Sequence, residues 1–184
     1  MNVRQIPNVI TVVRIALVPV LAWVLLDQRF VLALTLAAFM GASDGLDGFL
    51  AKFYGWQTRL GSFLDPLADK IMLAATYLCL GWLELLPYWL VALVVFRDLI
   101  ILAGAATYHA ITRKLEMQPS YISKLNTVVQ ILLALIVVLE QIVSLPESIL
   151  TVLIGATVVT TAASGADYVV RWTNRVRCHS GRCS

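Results

Sequence analysis

The sequence predicts an all-α fold, an integral membrane bundle of six transmembrane helices, and three observations carry that prediction. The 184 residues are 60% apolar and 14% charged, with a mean hydropathy of +0.84. That profile belongs to membrane-embedded chains and excludes an ordinary soluble domain. Apolar stretches close to the ~20 residues that cross a bilayer account for nearly all of the length. The connections between them are short and marked by turn residues.

The stretches fall at 7–26, 30–52, 61–84, 87–112, 122–143 and 147–171. The first opens at Pro7 and keeps Asn8, Thr11 and Arg14 on one helical face, which places part of it in the membrane interface. Asp27-Gln-Arg29 ends it. The second runs into Ser43-Asp-Gly-Leu-Asp-Gly-Phe-Leu-Ala-Lys52, and the third begins in Gly61-Ser-Phe-Leu-Asp-Pro-Leu-Ala-Asp-Lys70. Pro87 opens the fourth, which carries Arg97 and Asp98 inside an apolar run. The longest connection, 113–121, contains Arg113, Lys114, Glu116 and Pro119. The fifth starts at Tyr121-Ile-Ser-Lys-Leu-Asn-Thr127, and Pro146-Glu147 opens the sixth. Residues 1–172 therefore read as one membrane domain and 173–184 as a basic cytoplasmic tail, with neither internal repeats nor low-complexity segments.

The N-terminal apolar stretch lacks a small-residue cleavage pattern, so an uncleaved multispan protein is expected. Cys79 reads as a small buried hydrophobe. Cys178, His179 and Cys183 fit no zinc module by spacing, so the tail is read as unstructured.

Lysine and arginine set the orientation. One side collects the N-terminus, the 53–60 loop, the 113–124 segment and the tail, with Arg4, Arg14, Lys52, Arg59, Lys70, Arg113, Lys114, Lys124, Arg171, Arg175, Arg177 and Arg182. The other carries Arg29, with Glu84, Glu140 and Glu147. Both termini are thus expected in the cytoplasm, at the inner membrane if the source is bacterial. Trp82, Tyr88 and Trp89 form an aromatic belt at the opposite interface.

The chemistry is concentrated in four aspartates. A carboxylate at a transmembrane helix centre costs roughly 2.5–3.5 kcal/mol on insertion scales, so four call for compensating charge. Asp44 and Asp47 are three residues apart, and Asp65 and Asp69 are four apart. Both spacings put two carboxylates on one helical face. A short loop lets the pairs converge across one groove. Hard oxygen ligands of this kind suit Mg²⁺ or Mn²⁺, with Ca²⁺ possible. Gly45, Gly48 and Gly61 remove bulk where a large ligand would approach the backbone. An isolated aspartate at a helix end is usually a cap or a solvated charge, but four at helical spacing among glycines point to a site.

Residues 44–69 resemble the signature of the CDP-alcohol phosphatidyltransferase family, Asp-x2-Asp-Gly-x2-Ala-Arg-x8-Gly-x3-Asp-x3-Asp. Asp44, Asp47, Gly48, Ala51, Gly61, Asp65 and Asp69 match with every gap preserved. Lys52 stands where the family has Arg, which keeps the charge and gives up a bidentate phosphate grip. The resemblance implies displacement of CMP from a CDP-linked lipid by an alcohol hydroxyl. It implies divalent metals held by Asp44, Asp47, Asp65 and Asp69, with Asp69 as general base. Gly48, Ala51, Lys52, Gly61, Asn8 and Thr11 would line the nucleotide and diphosphate side. A homodimer is implied as well, with CDP-diacylglycerol, an acceptor and membrane lipids as partners, and no nucleic acid.

The acceptor is read from other segments. Pro7-Asn-Val-Ile-Thr-Val-Val-Arg14 is similar to the N-terminal segment of bacterial phosphatidylglycerophosphate synthases and related cardiolipin synthases. Arg97, Ser123, Lys124, Asn126 and Arg14 are the candidates for acceptor binding. Three of them also have an ordinary role: Arg14 snorkelling, Arg97 and Asp98 neutralising each other, Lys124 anchoring the cytoplasmic side. Residues 118–130 resemble the Pro-x3-Ser-Lys-x-Asn-Thr-x2-Gln segment of the CMP-forming cardiolipin synthases, as do Arg97-Asp98 and Thr160-Thr-Ala-Ala-Ser164. Phosphatidylglycerophosphate synthases more often carry a second lysine where this chain has Asn126, which suits a less charged acceptor such as phosphatidylglycerol.

The resemblance thus implies cardiolipin synthesis, with phosphatidylglycerophosphate synthesis as the alternative. Prenyltransferases with aspartate-rich membrane helices need a longer chain and widely separated motifs. A cation transporter needs an acidic path across the bilayer, whereas these aspartates crowd one side.

Overall fold

A computed structural model describes residues 6–54, 61–112 and 121–179, with side chains at 13–43, 67–103 and 121–167. The described residues form six α-helices and no strand: α1 (Ile6–Leu26), α2 (Phe30–Tyr54), α3 (Gly61–Trp82), α4 (Tyr88–Thr112), α5 (Tyr121–Glu140) and α6 (Glu147–His179). Each expected stretch is one helix. The main difference is α6, expected to stop near 171 and followed by an unstructured tail. It continues to His179, since a helix does not need apolar residues to propagate once it has left an apolar environment. Residues 180–184, with Cys183, lie outside the described residues.

Two helix ends close without glycine. Gln28 and Glu84 adopt φ of 57° and 59°. Arg29 N–H donates to Val24 O at 3.1 Å and Gln28 N–H to Leu25 O at 2.9 Å. Leu85 N–H donates to Leu80 O at 3.0 Å and Glu84 N–H to Gly81 O at 2.9 Å. These bonds satisfy the last carbonyls of α1 and α3, and the left-handed residue turns the chain back.

The chain divides into two compact units. The first holds residues 1–87 and 134–145, and in it α1 packs on both α2 and α3. Val18, Leu21 and Leu25 form one buried stripe on α1, and Leu73, Tyr77 and Leu80 one on α3. Arg14, one turn before Val18, extends the α1 stripe. The second unit holds residues 88–133 and 146–184, with α4 packed on α6. Its core is apolar at Leu90, Val91, Val94 and Leu133 and polar at Arg97, Asp98, Asn126, Gln130, Thr157, Thr161 and Ser164. Large apolar side chains face outward in both units, among them Trp23, Phe39, Phe96, Val152 and Val159.

Among the described residues, Tyr121–Glu140 and Glu147–Asp167 are long and apolar enough to cross a membrane, and Val13–Leu26 and Phe30–Ser43 are shorter apolar runs. The left-handed residues carry a cost that glycine would not. Glu84→Gly and Gln28→Gly are each expected to stabilise the protein by about 1 kcal/mol. The thermal unfolding midpoint in detergent would rise; an unchanged or lower midpoint would refute this account of the two ends.

Candidate active site

The first cluster joins α1 to α3. Arg14 donates through Nη1 to Asp69 Oδ1 at 3.0 Å. The side chain of Arg14 is 5% exposed and that of Asp69 is 47% exposed, so a buried guanidinium holds a carboxylate that reaches the surface. The geometry follows from the sequence: Arg14 continues the α1 stripe that faces α3, and Asp69 lies in the early turns of α3 beside buried Ala68. Arg14, expected on the acceptor side, is thus brought onto the aspartate expected as general base.

The other signature residues are placed by backbone alone. Asp44, Asp47, Gly48, Ala51 and Lys52 lie in the C-terminal half of α2. Gly61 opens α3 and Asp65 follows one turn later, while Asn8 and Thr11 lie in the first turns of α1. Their side chains lie outside the described residues, so the expected convergence of four carboxylates falls there too. Among the described residues no three acidic, cysteine or histidine side chains group together. The donor set itself, carboxylates and no thiolate or imidazole, fits a hard divalent cation.

The second cluster ties three helices together. Arg97 on α4 donates through Nη1 to Asp98 Oδ1 at 2.5 Å and through Nη2 to Ser123 Oγ on α5 at 3.0 Å. Nη2 also donates to Ser164 Oγ on α6. Arg97 and Asp98 are both buried, so their opposite charges compensate where water cannot. One turn along, Asn126 is fully buried. Its Oδ1 accepts from Thr160 Oγ1 and Thr161 Oγ1, both at 2.9 Å. Among the described residues, Arg97 Nε and Asn126 Nδ2 are buried without a hydrogen-bond partner.

Ser123 and Asn126, three apart on α5, thus meet Ser164 and Thr161, three apart on α6. They form a polar seam continued by buried Gln130 and Thr157. Lys124 does not join it. The side chain is exposed, with Nζ 5.8 Å from the centre of the Tyr121 ring.

Among the site candidates, sequence reasoning missed Thr160, Thr161 and Ser164 as partners of Asn126 and Arg97, although it singled out the segment that holds them. Their spacing on α6, with Thr157, is the signal: 157, 161 and 164 follow a helical stripe of hydroxyls opposite the stripe of 123, 126 and 130.

Removing one partner of a buried ion pair leaves an uncompensated charge, so Asp98→Leu is expected to cost about 3–5 kcal/mol. Thr161→Val removes one of two hydroxyls from Asn126 and is expected to cost about 1 kcal/mol. Unfolding in detergent would measure both, and equal losses would contradict this ranking.

The family model for CDP-alcohol phosphatidyltransferases matches residues 4–163. A CMP-forming cardiolipin synthase of Rattus norvegicus is 34% identical, over 91% of this chain and 61% of its own length. A chloroplastic CDP-diacylglycerol–glycerol-3-phosphate 3-phosphatidyltransferase of Oryza sativa subsp. japonica is 34% identical, over 91% of this chain and 57% of its own length. A probable phosphatidylglycerophosphate synthase of Mycobacterium tuberculosis is 30% identical, over 92% of this chain and 82% of its own length. The chain therefore spans less than two thirds of the length of the first two relatives.

Proposed function

The chain belongs to the CDP-alcohol phosphatidyltransferase family, and on that premise we propose that it transfers a phosphatidyl group from CDP-diacylglycerol to phosphatidylglycerol, giving cardiolipin and CMP. The acceptor hydroxyl oxygen forms a new bond to the phosphatidyl phosphorus. The bond from that phosphorus to the CMP oxygen breaks, and the hydroxyl proton passes to a carboxylate. Asp69 is the base in this reading. The observation that supports it is the Arg14–Asp69 pair, in which a buried guanidinium holds the half-exposed last signature aspartate.

Asp44, Asp47, Asp65 and Asp69 would hold Mg²⁺ or Mn²⁺. Such a cation, when bound, neutralises charge on the diphosphate and on departing CMP. Gly48, Ala51, Lys52, Gly61, Asn8 and Thr11 belong to the diphosphate side of the same site. Arg97, Ser123, Lys124 and Asn126 are assigned to the acceptor side, the first two and Asn126 through the polar seam. Asn126 favours phosphatidylglycerol as acceptor, since a buried neutral amide offers no charge to a doubly anionic glycerol phosphate. The neighbouring relatives of both kinds keep glycerol 3-phosphate as the alternative acceptor.

All six helices are read as membrane spans with both termini in the cytoplasm, and two protomers as a homodimer. The outward apolar faces and the inward polar seam support embedding in lipid.

Two measurements test this reading. Purified protein with Mg²⁺ or Mn²⁺ and CDP-diacylglycerol is expected to release CMP and form cardiolipin from phosphatidylglycerol, and to stop on chelation. Phosphatidylglycerophosphate formed from glycerol 3-phosphate would move the chain to the alternative acceptor, and no CMP from either would reject the reading. Asp69→Asn is expected to lower turnover by roughly 10²–10⁴ while CDP-diacylglycerol still binds. Retained turnover would remove Asp69 as the base.

A further inference from the structure

A groove lies at the end of the first unit remote from the Arg14–Asp69 pair, about 18 Å further along α1. It encloses about 480 Å³ and is lined by Gln28, Arg29, Phe30, Val31, Leu32, Thr35, Gln141 and Ile142. All of these residues belong to the one unit.

Its chemistry is two-sided. Arg29 stands at the rim, with Nε donating to Asp27 Oδ2 at 2.6 Å. That bond fixes the plane of the guanidinium, and Nη1 and Nη2 make no hydrogen bond with any described residue. The side chain is 65% exposed. Gln28 and Gln141 also line the groove. Its apolar lining is Phe30, Val31, Leu32 and Ile142, beside Thr35, and Val31 and Leu32 are more than half exposed.

We propose that this groove is a binding site for an anionic phospholipid of the leaflet opposite the aspartates, with its phosphodiester on Arg29 and an acyl chain along Val31, Leu32 and Ile142. Charge complementarity selects the head: two terminal guanidinium nitrogens, oriented by the Asp27 contact and without a partner among the described residues, match the paired oxygens of a phosphodiester. The apolar wall selects a lipid over a free anion, since inorganic phosphate gains nothing from Phe30, Val31 or Ile142. Arg29 is also the basic residue that the charge pattern leaves alone at this end of the helices. The proposal rests on the membrane-embedded reading of the helices and not on the reaction, because no residue of the groove belongs to the aspartate site.

The test uses purified full-length protein in detergent and phosphatidylmethanol, an anionic phosphodiester lipid without an acceptor hydroxyl. Native mass spectrometry counts bound lipid and gives its affinity for wild type, Arg29→Gln and Val31→Gln, with CMP release measured in parallel. One lipid is expected to bind wild type, with affinity roughly tenfold weaker in each variant, CMP release unchanged and no displacement by inorganic phosphate. Equal affinity in wild type and both variants would overturn the proposal. So would displacement by inorganic phosphate with Val31→Gln unaffected, which would leave a free-anion site. Val31→Gln alters an exposed side chain, so it reads the site even if Arg29→Gln fails to fold. Loss of CMP release in wild type itself would count against the proposed reaction and leave the lipid comparison intact.

Discussion

An arginine among apolar helices must bring or find its counter-charge, and both units are arranged around that requirement. Arg14 lies on the same stripe of α1 as Val18, Leu21 and Leu25, where a guanidinium left alone would be expensive. Its partner is Asp69 on α3, so the contact that satisfies the charge also sets how α1 meets α3. Arg97 meets the same demand differently. Asp98, its neighbour in the chain, supplies the opposite charge, and the serines of α5 and α6 supply hydrogen bonds. In lipid, where helices gain little by hiding apolar surface from one another, such polar contacts and close packing carry the association.

The two arginines differ in what they leave exposed. Asp69 keeps about half of its side-chain surface exposed while Arg14 is sealed beneath it. The seam of α5 and α6 is closed instead. Asn126 is fully buried and its oxygen is occupied by Thr160 and Thr161.

The sequence made much of this legible, and the failures have physical reasons. Six apolar runs located six helices because run length and turn residues report directly on where a helix begins and ends. The end of α6 was misplaced because hydropathy marks where apolar surroundings end, and Arg171 to His179 remain helical beyond that point. The closures at Gln28 and Glu84 were illegible because glycine, the usual signal for a left-handed residue, is absent from both. The aspartates stand out in the sequence by spacing, yet spacing could not reveal that Arg14 would meet Asp69, because that contact joins residues 55 apart in the chain. Lys124 and Ser123 are adjacent in sequence, but a turn of 100° per residue sends one to the Tyr121 ring and the other to Arg97.

The neighbouring position of Asp98 bears on how the protein is made. On the proposed reading of α4 as a membrane span, a chain inserted from its N-terminus exposes α4 to lipid before α5 and α6 exist, so the serines that finally bind Arg97 come late. A counter-ion one residue away travels with the arginine through that interval and lets α4 enter the bilayer as a neutral segment. The hydroxyl and amide groups of α5 and α6, separated by a turn of only a few residues, then find each other as one hairpin. On that reading, biogenesis of this half of the molecule never requires a bare charge to wait in the membrane for a partner still on the ribosome.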